Sequence, residues 1–234
     1  MDEEKIMMTS NREDYLKSIE ELQRRHGTVN NRLIADRLEV SPASVSEMLQ
    51  KLAKEGLVEV KPERNVVLTE EGKKKALQLL RIHRLWEVFL VDHLGYAWSE
   101  VHEEAERLEH ASSPLLAERL DHFLDYPRRC PHGGAIPGGE GNVSMQKLYR
   151  LVDLPVGVRA VIRRVPERRD LLELLSERGI CLNEMVAPVE SEGLESGILL
   201  ELSDGRRTAL PSVLADSILV SFADERILRK EPWD

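Results

Sequence analysis

The chain is predicted to be mainly α with a β C-terminal domain: a winged helix-turn-helix, a helical middle domain, then a small SH3-like barrel. Three observations carry this prediction. Between residues 10 and 75, two short amphipathic helices joined by a tight turn are followed at once by two short apolar runs around a polar turn. From Thr69 to about Leu124, apolar residues recur at helical spacing. From Val156 onward, short β-like runs alternate with turn residues, among them Asp204-Gly205. The expected boundaries are 1–75, 76–143, a linker over 144–155, and 156–234.

Composition narrows the class. The sequence has 234 residues, 41% hydrophobic and 32% charged, an ordinary mixture with enough apolar mass for a core. Cys130 and Cys181 are its two cysteines, too few for a disulfide framework, which points to a reducing compartment. The start, Met1-Asp2-Glu3-Glu4-Lys5, lacks the basic-then-apolar order of a signal peptide. No apolar run approaches the roughly 20 residues of a membrane span, so a cytoplasmic protein is expected. The net charge of −9 argues against indiscriminate coating of nucleic acid. Residues 1–75 hold 14 Lys+Arg against 15 Asp+Glu. The acidic excess therefore lies in the remainder, and a locally cationic DNA-contacting face is permitted in the first third.

In that first third, Asn11–Arg25 reads as a helix with Tyr15, Leu16, Ile19 and Leu22 inward. Ser10 is its expected N-cap, with Glu13 completing a capping box, and His26-Gly27 ends it. A second helix covers about Asn31–Leu38. Ser41 as N-cap and Pro42 at the first helical position open a third, which runs to about Glu55 on Val45, Met48, Leu49 and Leu52. Leu57–Val60 and Val66–Thr69 around Lys61–Asn65 form a hairpin, placed where a wing belongs. The third helix would then enter the major groove, presenting Ser41, Ala43, Ser44, Ser46 and Glu47, with Gln50, Lys51 and Lys54 further along. Lys61 and Arg64 in the wing are candidate phosphate contacts. No Arg on this helix offers bidentate guanine reading, so specificity is expected to lean on DNA shape.

Thr69-Glu70-Glu71-Gly72 caps a long helix to about His93. His83 and Glu87, four residues apart, fall inside its apolar stripe of Leu79, Leu80, Trp86 and Leu90. A carboxylate facing a core is costly without a partner, and a metal ion or an imidazolium would supply one. The next helix begins Val101-His102-Glu103-Glu104-Ala105-Glu106-Arg107-Leu108-Glu109-His110. His102, Glu106, Glu109 and His110 fall within an arc of roughly 100°, beside Val101, Ala105 and Leu108. Two imidazoles and two carboxylates on one face form a ligand set for a divalent cation. A solvated acidic helix with incidental histidines is the plain alternative. Six of the seven histidines lie between His83 and His132. A helix over about Pro114–Leu124 leads to a Pro/Gly-rich loop, 126–139. There Cys130 and His132 offer either a thiolate and an imidazole or an ordinary hydrogen-bonded buried loop.

In the last third, Met145–Val152 reads as a short helix or linker. Runs at Val158–Val165, Met185–Val189, Gly197–Leu202, Thr208–Leu210 and Ile218–Phe222, with a helix at Arg169–Glu177, fit a five-stranded SH3-like barrel.

His83-Arg84-Leu85-x-Glu87 followed by Val101 to His110, behind this winged helix at this distance, resembles the diphtheria toxin repressor / manganese transport regulator family. The resemblance covers about residues 10–140 closely, and the last third in general character, as an SH3-like (FeoA-like) domain. It implies a metal-activated, dimeric repressor of metal-uptake genes that binds a palindromic double-stranded DNA operator. It also implies two neighbouring metal sites: a primary, activating one from Asp14, Glu106, Glu109 and His110, and another from His83, Glu87 and His102. Cys130-Pro131-His132-Gly133 resembles a loop of a manganese-responsive branch that can supply ligands. No ligand carries over from the C-terminal domain. By itself, Asp14 reads as a first-turn acid favoured by the helix dipole. Where some manganese regulators carry a second acid one turn after the Asp14 position, this chain has Lys17, which argues against a fully carboxylate-bridged pair of manganese ions. Iron-responsive members have Cys and Met at the positions of Glu106 and Asp14. Two carboxylates here imply Mn²⁺, with Fe²⁺ or Zn²⁺ as alternatives.

Two other functions compete. A metallohydrolase could use a His/Glu cluster, but the sequence has no His-Glu-x-x-His motif and no other nucleophile or acid/base arrangement, so an enzyme is not expected. A winged-helix regulator could instead keep the cluster as structure, or sense oxidation at Cys130. A palindrome-reading winged helix is expected to be a two-fold homodimer, with apolar residues such as Phe89, Leu115 and Leu116 at its interface.

Overall fold

The computed structural model describes residues 3–138, 147–190 and 197–223, with side chains from residue 11 onward other than that of Arg64. The chain forms two compact units that are discontinuous in sequence. The first comprises residues 1–86, 106–122 and 136–138; the second holds the remainder.

The first unit opens with α1 (Glu3–His26), α2 (Asn31–Leu38) and α3 (Pro42–Lys54). Helix α1 starts well before the expected Asn11, because Glu3-Glu4-Lys5-Ile6-Met7-Met8 contains good helix formers and no breaker. Ser10 therefore falls inside the helix and not at its start, and Asp14 is in its interior, beyond reach of the first-turn dipole. The expected cap of α3 is present: Ser41 accepts from the Ser44 amide, with Pro42 opening the helix. Helix α2 is capped by Asn30, which accepts from the Leu33 amide. Strands β1 (Val58–Val60) and β2 (Val66–Leu68) pair antiparallel as the wing. Its turn is a 3-10 segment, Pro62–Arg64, with Glu63 at φ 66°. Tyr15, Leu16 and Ile19 of α1, Ile34 of α2, and Val45, Leu49 and Leu52 of α3 share one buried core with Val66. Each such side chain contributes about 1.5–3 kcal/mol by leaving water.

Thr69 accepts from the Gly72 amide at the start of α4 (Glu70–Leu94). Gly72 sits against the wing: a Cβ there would lie 2.0 Å from the Leu57 carbonyl oxygen. Helices α5 (Val101–Glu109) and α6 (Pro114–Phe123) follow. Within the first unit, Arg81 of α4 pairs with Asp121 of α6 at 2.6 Å, and the Trp86 indole donates to Ser112 at 2.7 Å.

The second unit contains a six-stranded antiparallel sheet of order β3-β8-β4-β5-β6-β7, the half-barrel of an SH3-like domain. Its strands are β3 (Tyr149–Arg150), β4 (Ala160–Arg164), β5 (Met185–Val189), β6 (Gly197–Leu202), β7 (Arg207–Pro211) and β8 (Leu219–Phe222). Helix α7 (Arg169–Glu177) packs Leu171, Leu172 and Leu175 against Ile162, Val186, Leu200 and Val220. Two features depart from expectation. Tyr149 and Arg150, assigned above to a helix or linker, pair with Val220 and Leu219 as a sixth strand; two residues are too few to show strand periodicity. A one-turn helix, α8 (Ser212–Ala215), separates β7 from β8. Met145 lies outside the described residues.

Gly72→Ala should lower stability by about 1–3 kcal/mol, the usual cost of overpacking. A urea midpoint equal to wild type would show that the close approach to Leu57 is not constraining.

Candidate metal centres

The first centre lies in the first unit. The α1 core residues Leu16 and Ile19 fix the rotation of that helix, so Asp14 emerges toward the end of α5 at the half-buried rim. One ligand atom each from Asp14, Glu109 and His110 lie within 4.8 Å of one another. Asp14 Oδ1 is 3.0 Å from His110 Nε2, and Glu13 Oε2 is 2.7 Å from His110 Nδ1. A carboxylate on Nδ1 fixes the ring and leaves Nε2 as the ligating atom, the usual outer-shell arrangement of a metal histidine. Glu109 is fully buried. Its Oε2 is 2.5 Å from His83 Nδ1, and its Oε1 is 2.5 Å from the buried ammonium of Lys17. Glu106 is more exposed, 3.6 Å from the same ammonium. A cavity of about 580 Å³, lined in part by Glu13, Glu109 and His110, opens beside this centre.

Charge compensation sets the protonation here. Burial opposes the charged form of His110, but Asp14 and Glu13 outweigh it and raise its pKa to about 9. Burial likewise opposes ionised Glu109, yet His83 and Lys17 together hold its pKa below the ordinary carboxylate value. Burial opposes a charged Lys17 too, and Glu109 with Glu106 more than reverses it.

The second centre lies in the second unit. Glu87 of α4, Cys130, His132 and Glu167 bring one ligand atom each within 4.8 Å of one another. Glu87, Cys130 and His132 are all buried. His132 Nε2 donates to the Trp98 carbonyl at 2.7 Å, so Nδ1 is the nitrogen that faces Glu87 Oε1, at 3.2 Å. That buried Nδ1 has no well-formed hydrogen bond, the situation of a ligand nitrogen held for a cation. Burial works against protonating His132, while Glu87 and then Glu167 raise its pKa. His102 Nδ1 stands 3.6 Å from both Glu87 and Glu167. Two oxygens, a sulfur and a nitrogen within this span suit a divalent transition metal.

Of the residues singled out in the sequence, Asp14, Glu109 and His110 converge in one unit, with Glu106 at their edge. Glu87, His102, Cys130 and His132 converge in the other. His83, expected with Glu87 and His102, precedes Glu87 by one turn of α4, and its Nδ1 also meets Glu109 Oε2. Glu167 was missed, because Val165-Pro166-Glu167 carries no periodic or motif signal. Tertiary structure places it: Gly133, at φ +84°, presses to where a Cβ would lie 2.0 Å from the Arg163 carbonyl oxygen, and the Val165 amide donates to the His132 carbonyl at 3.1 Å.

On α3, Ala43, Ser44, Glu47, Gln50 and Lys51 are exposed, as is Lys61 in the wing. The Ser41 hydroxyl is the cap and also meets Ser44 at 2.9 Å. Ser46 donates to the Pro42 carbonyl and accepts from Asn31, so its hydroxyl positions the helix. Glu47 pairs with Lys51 at 2.8 Å. The side chain of Arg64 lies outside the described residues.

Comparison with known proteins agrees with this geometry region by region. Residues 7–66 match the iron-dependent repressor N-terminal DNA-binding domain, 69–138 the iron-dependent repressor metal-binding and dimerisation domain, and 149–221 the FeoA domain. The iron-dependent repressor IdeR of Mycobacterium tuberculosis is 33% identical over 221 residues, covering 89% of this chain and 95% of that protein. The chain belongs to the diphtheria toxin repressor / manganese transport regulator family. The diphtheria toxin repressor of Corynebacterium glutamicum is 32% identical over 209 residues, covering 82% of this chain and 91% of its own. Among solved structures, a manganese-dependent transcriptional repressor in complex with manganese superposes with TM-score 0.81 at 36% identity, covering 90% and 99% of the two chains. ScaR with bound Cd²⁺ gives 0.76 at 40% identity, also covering 90% and 99%. This repressor is accordingly a DNA-binding, metal-dependent transcriptional regulator with a dimerisation domain. Among its described residues, no helix is long and apolar enough to cross a membrane.

The raised His110 pKa has a stability consequence. Its contribution is complete below about pH 6.5, the unfolded value, and is lost as pH rises through about 9. In chelator, the urea midpoint should fall between pH 7 and 9.5, and His110→Gln should flatten that fall. An unchanged slope would remove His110 from this role.

Proposed function

We propose that this chain represses metal-uptake genes by binding a palindromic operator as a two-fold dimer when Mn²⁺ is bound through Asp14, Glu106, Glu109 and His110. The observation that carries the reading is the convergence of Asp14, on a helix of the DNA-binding core, with Glu109 at the end of α5 and His110 directly after it. When bound, the metal supplies the positive charge that holds these carboxylates and the imidazole together. Asp14 then ties α1 to the end of α5. Because α1 shares its core with α3, fixing α1 fixes the presentation of the recognition helix. Two such helices in a dimer must match successive major grooves about 34 Å apart, so orientation alone converts into affinity. Ala43, Ser44, Gln50 and Lys51 would face the groove, with Lys61 and Arg64 on phosphates. Leu115 and Leu116 of α6, 61% and 43% exposed, support the dimer reading, as does Phe89 in its cluster with His93 and Phe123.

Glu87, Cys130, His132 and Glu167 would form a second metal site, with His102 in reach and His83 one turn before Glu87 on α4. The buried state of Cys130, 2% exposed, weighs against a peroxide sensor, which needs an accessible thiolate. Hard oxygen donors at Asp14 and Glu106 favour Mn²⁺ over softer ions, whereas Cys130 makes the second site more tolerant of Zn²⁺ or Fe²⁺.

Three measurements bear on this. Chelation, or Asp14→Ala with Mn²⁺ present, should weaken operator binding at least tenfold in a fluorescence-anisotropy titration; wild-type binding indifferent to chelator would sink the proposal. Sedimentation at micromolar concentration with Mn²⁺ should give a dimer, and a monomer would contradict it. Glu106→Cys with Asp14→Met should shift metal preference from Mn²⁺ toward Fe²⁺ at buffered free metal. An unmoved preference would show that these carboxylates do not set it.

A further inference from the structure

The first centre contains a cation of its own. Lys17 lies one turn after Asp14 on α1, and its side chain is only 7% exposed. Its ammonium is 2.5 Å from Glu109 Oε1 and 3.6 Å from Glu106 Oε1. Glu109 Oε1 is also the oxygen nearest His110, 3.5 Å from Nε2. With Oε2 engaged by His83, both oxygens of Glu109 already have partners before any metal arrives. An ion drawing on Glu109 must share that oxygen with the ammonium or displace it.

We infer that Lys17 is a tethered competitor of the metal at the first centre. It holds Glu109 and Glu106 in place in the metal-free protein, and it lowers the affinity of the centre for a divalent ion. The physical basis is direct. A positive charge bonded to a ligand oxygen takes part of that oxygen's donor capacity. It also repels a dication held a few ångströms away, in a partly buried setting where water screens poorly. Being covalently attached, the ammonium competes at a fixed high local concentration that dilution does not remove. The centre would then fill only when free metal is high enough to overcome it, so Lys17 sets the concentration at which the repressor responds. The same charge occupies the place a second ion would need beside Glu109 and Glu106, leaving room for one ion there.

This rests on the assignment of Asp14, Glu106, Glu109 and His110 as the activating site, and the experiment separates the two. Mn²⁺ affinity and stoichiometry of the full chain are measured by competition with a fluorescent chelator, for wild type, Lys17→Met, Lys17→Gln, Lys17→Arg and Asp14→Ala. Loss of one Mn²⁺ site in Asp14→Ala establishes the site without reference to Lys17; retention of all sites overturns the assignment itself. Given that loss, Lys17→Met and Lys17→Gln should bind Mn²⁺ at that site at least tenfold more tightly than wild type, with Lys17→Arg close to wild type. Both neutral variants should unfold more readily in chelator and recover on adding Mn²⁺. Lys17→Gln keeps an N–H donor for Glu109, so it provides a folded neutral variant if the methionine does not pack. Equal or weaker Mn²⁺ binding by a folded neutral variant would overturn the inference and make Lys17 a scaffold for the ligands rather than their competitor.

Discussion

The constraint on which the first unit depends is the burial of Glu109. An ionised carboxylate with no exposure cannot stand alone in a helical core. The chain surrounds it with His83 on one oxygen and Lys17 on the other. Removing one partner of such a buried pair typically costs about 3–5 kcal/mol. That places α1, α4 and α5 under one electrostatic requirement: wherever Glu109 goes, a lysine from α1 and a histidine from α4 must accompany it. Asp14 and His110 lie at the rim of the same cluster, where solvent and a metal ion can reach them. The second unit repeats the principle with Glu87, which is met by His132, itself aimed by the Trp98 carbonyl.

Much of this was legible in the sequence because the signals were local. Ser41-Pro42 opened α3, Thr69 capped α4, and the 3.6-residue spacing of Leu16, Ile19 and Leu22 gave the buried face of α1. The metal-ligand candidates were legible for a related reason: His83 and Glu87 stood inside an apolar stripe, where charged groups need an explanation. What the sequence hid was non-local. Lys17 read as a substitution at a ligand position, and only the fold places its ammonium against Glu109. Glu167 sits in a turn with no periodicity and reaches Glu87 and His132 because β4 runs beside the Cys130 loop. The start of α1 was misplaced because a Ser-x-x-Glu pattern suggested a cap within a stretch that continues helical on propensity alone.

The two centres differ in what they ask of a metal. Asp14, Glu106 and Glu109 offer oxygen donors with one imidazole, beside a competing ammonium. Glu87, Cys130, His132 and Glu167 add a thiolate and are more fully enclosed. Softness and burial both favour tighter holding of an ion at the second centre. The first centre, linking α1 to α5, has the position from which occupancy can be transmitted to the recognition helix.

The central claim is that both clusters are cation sites. Anomalous diffraction at the manganese absorption edge, from crystals of the full chain grown with Mn²⁺, tests it most directly. The account predicts one peak among Asp14, Glu109 and His110 and another among Glu87, Cys130, His132 and Glu167. Crystals showing Lys17 still bonded to Glu109, with manganese bound only at surface carboxylates, would contradict it.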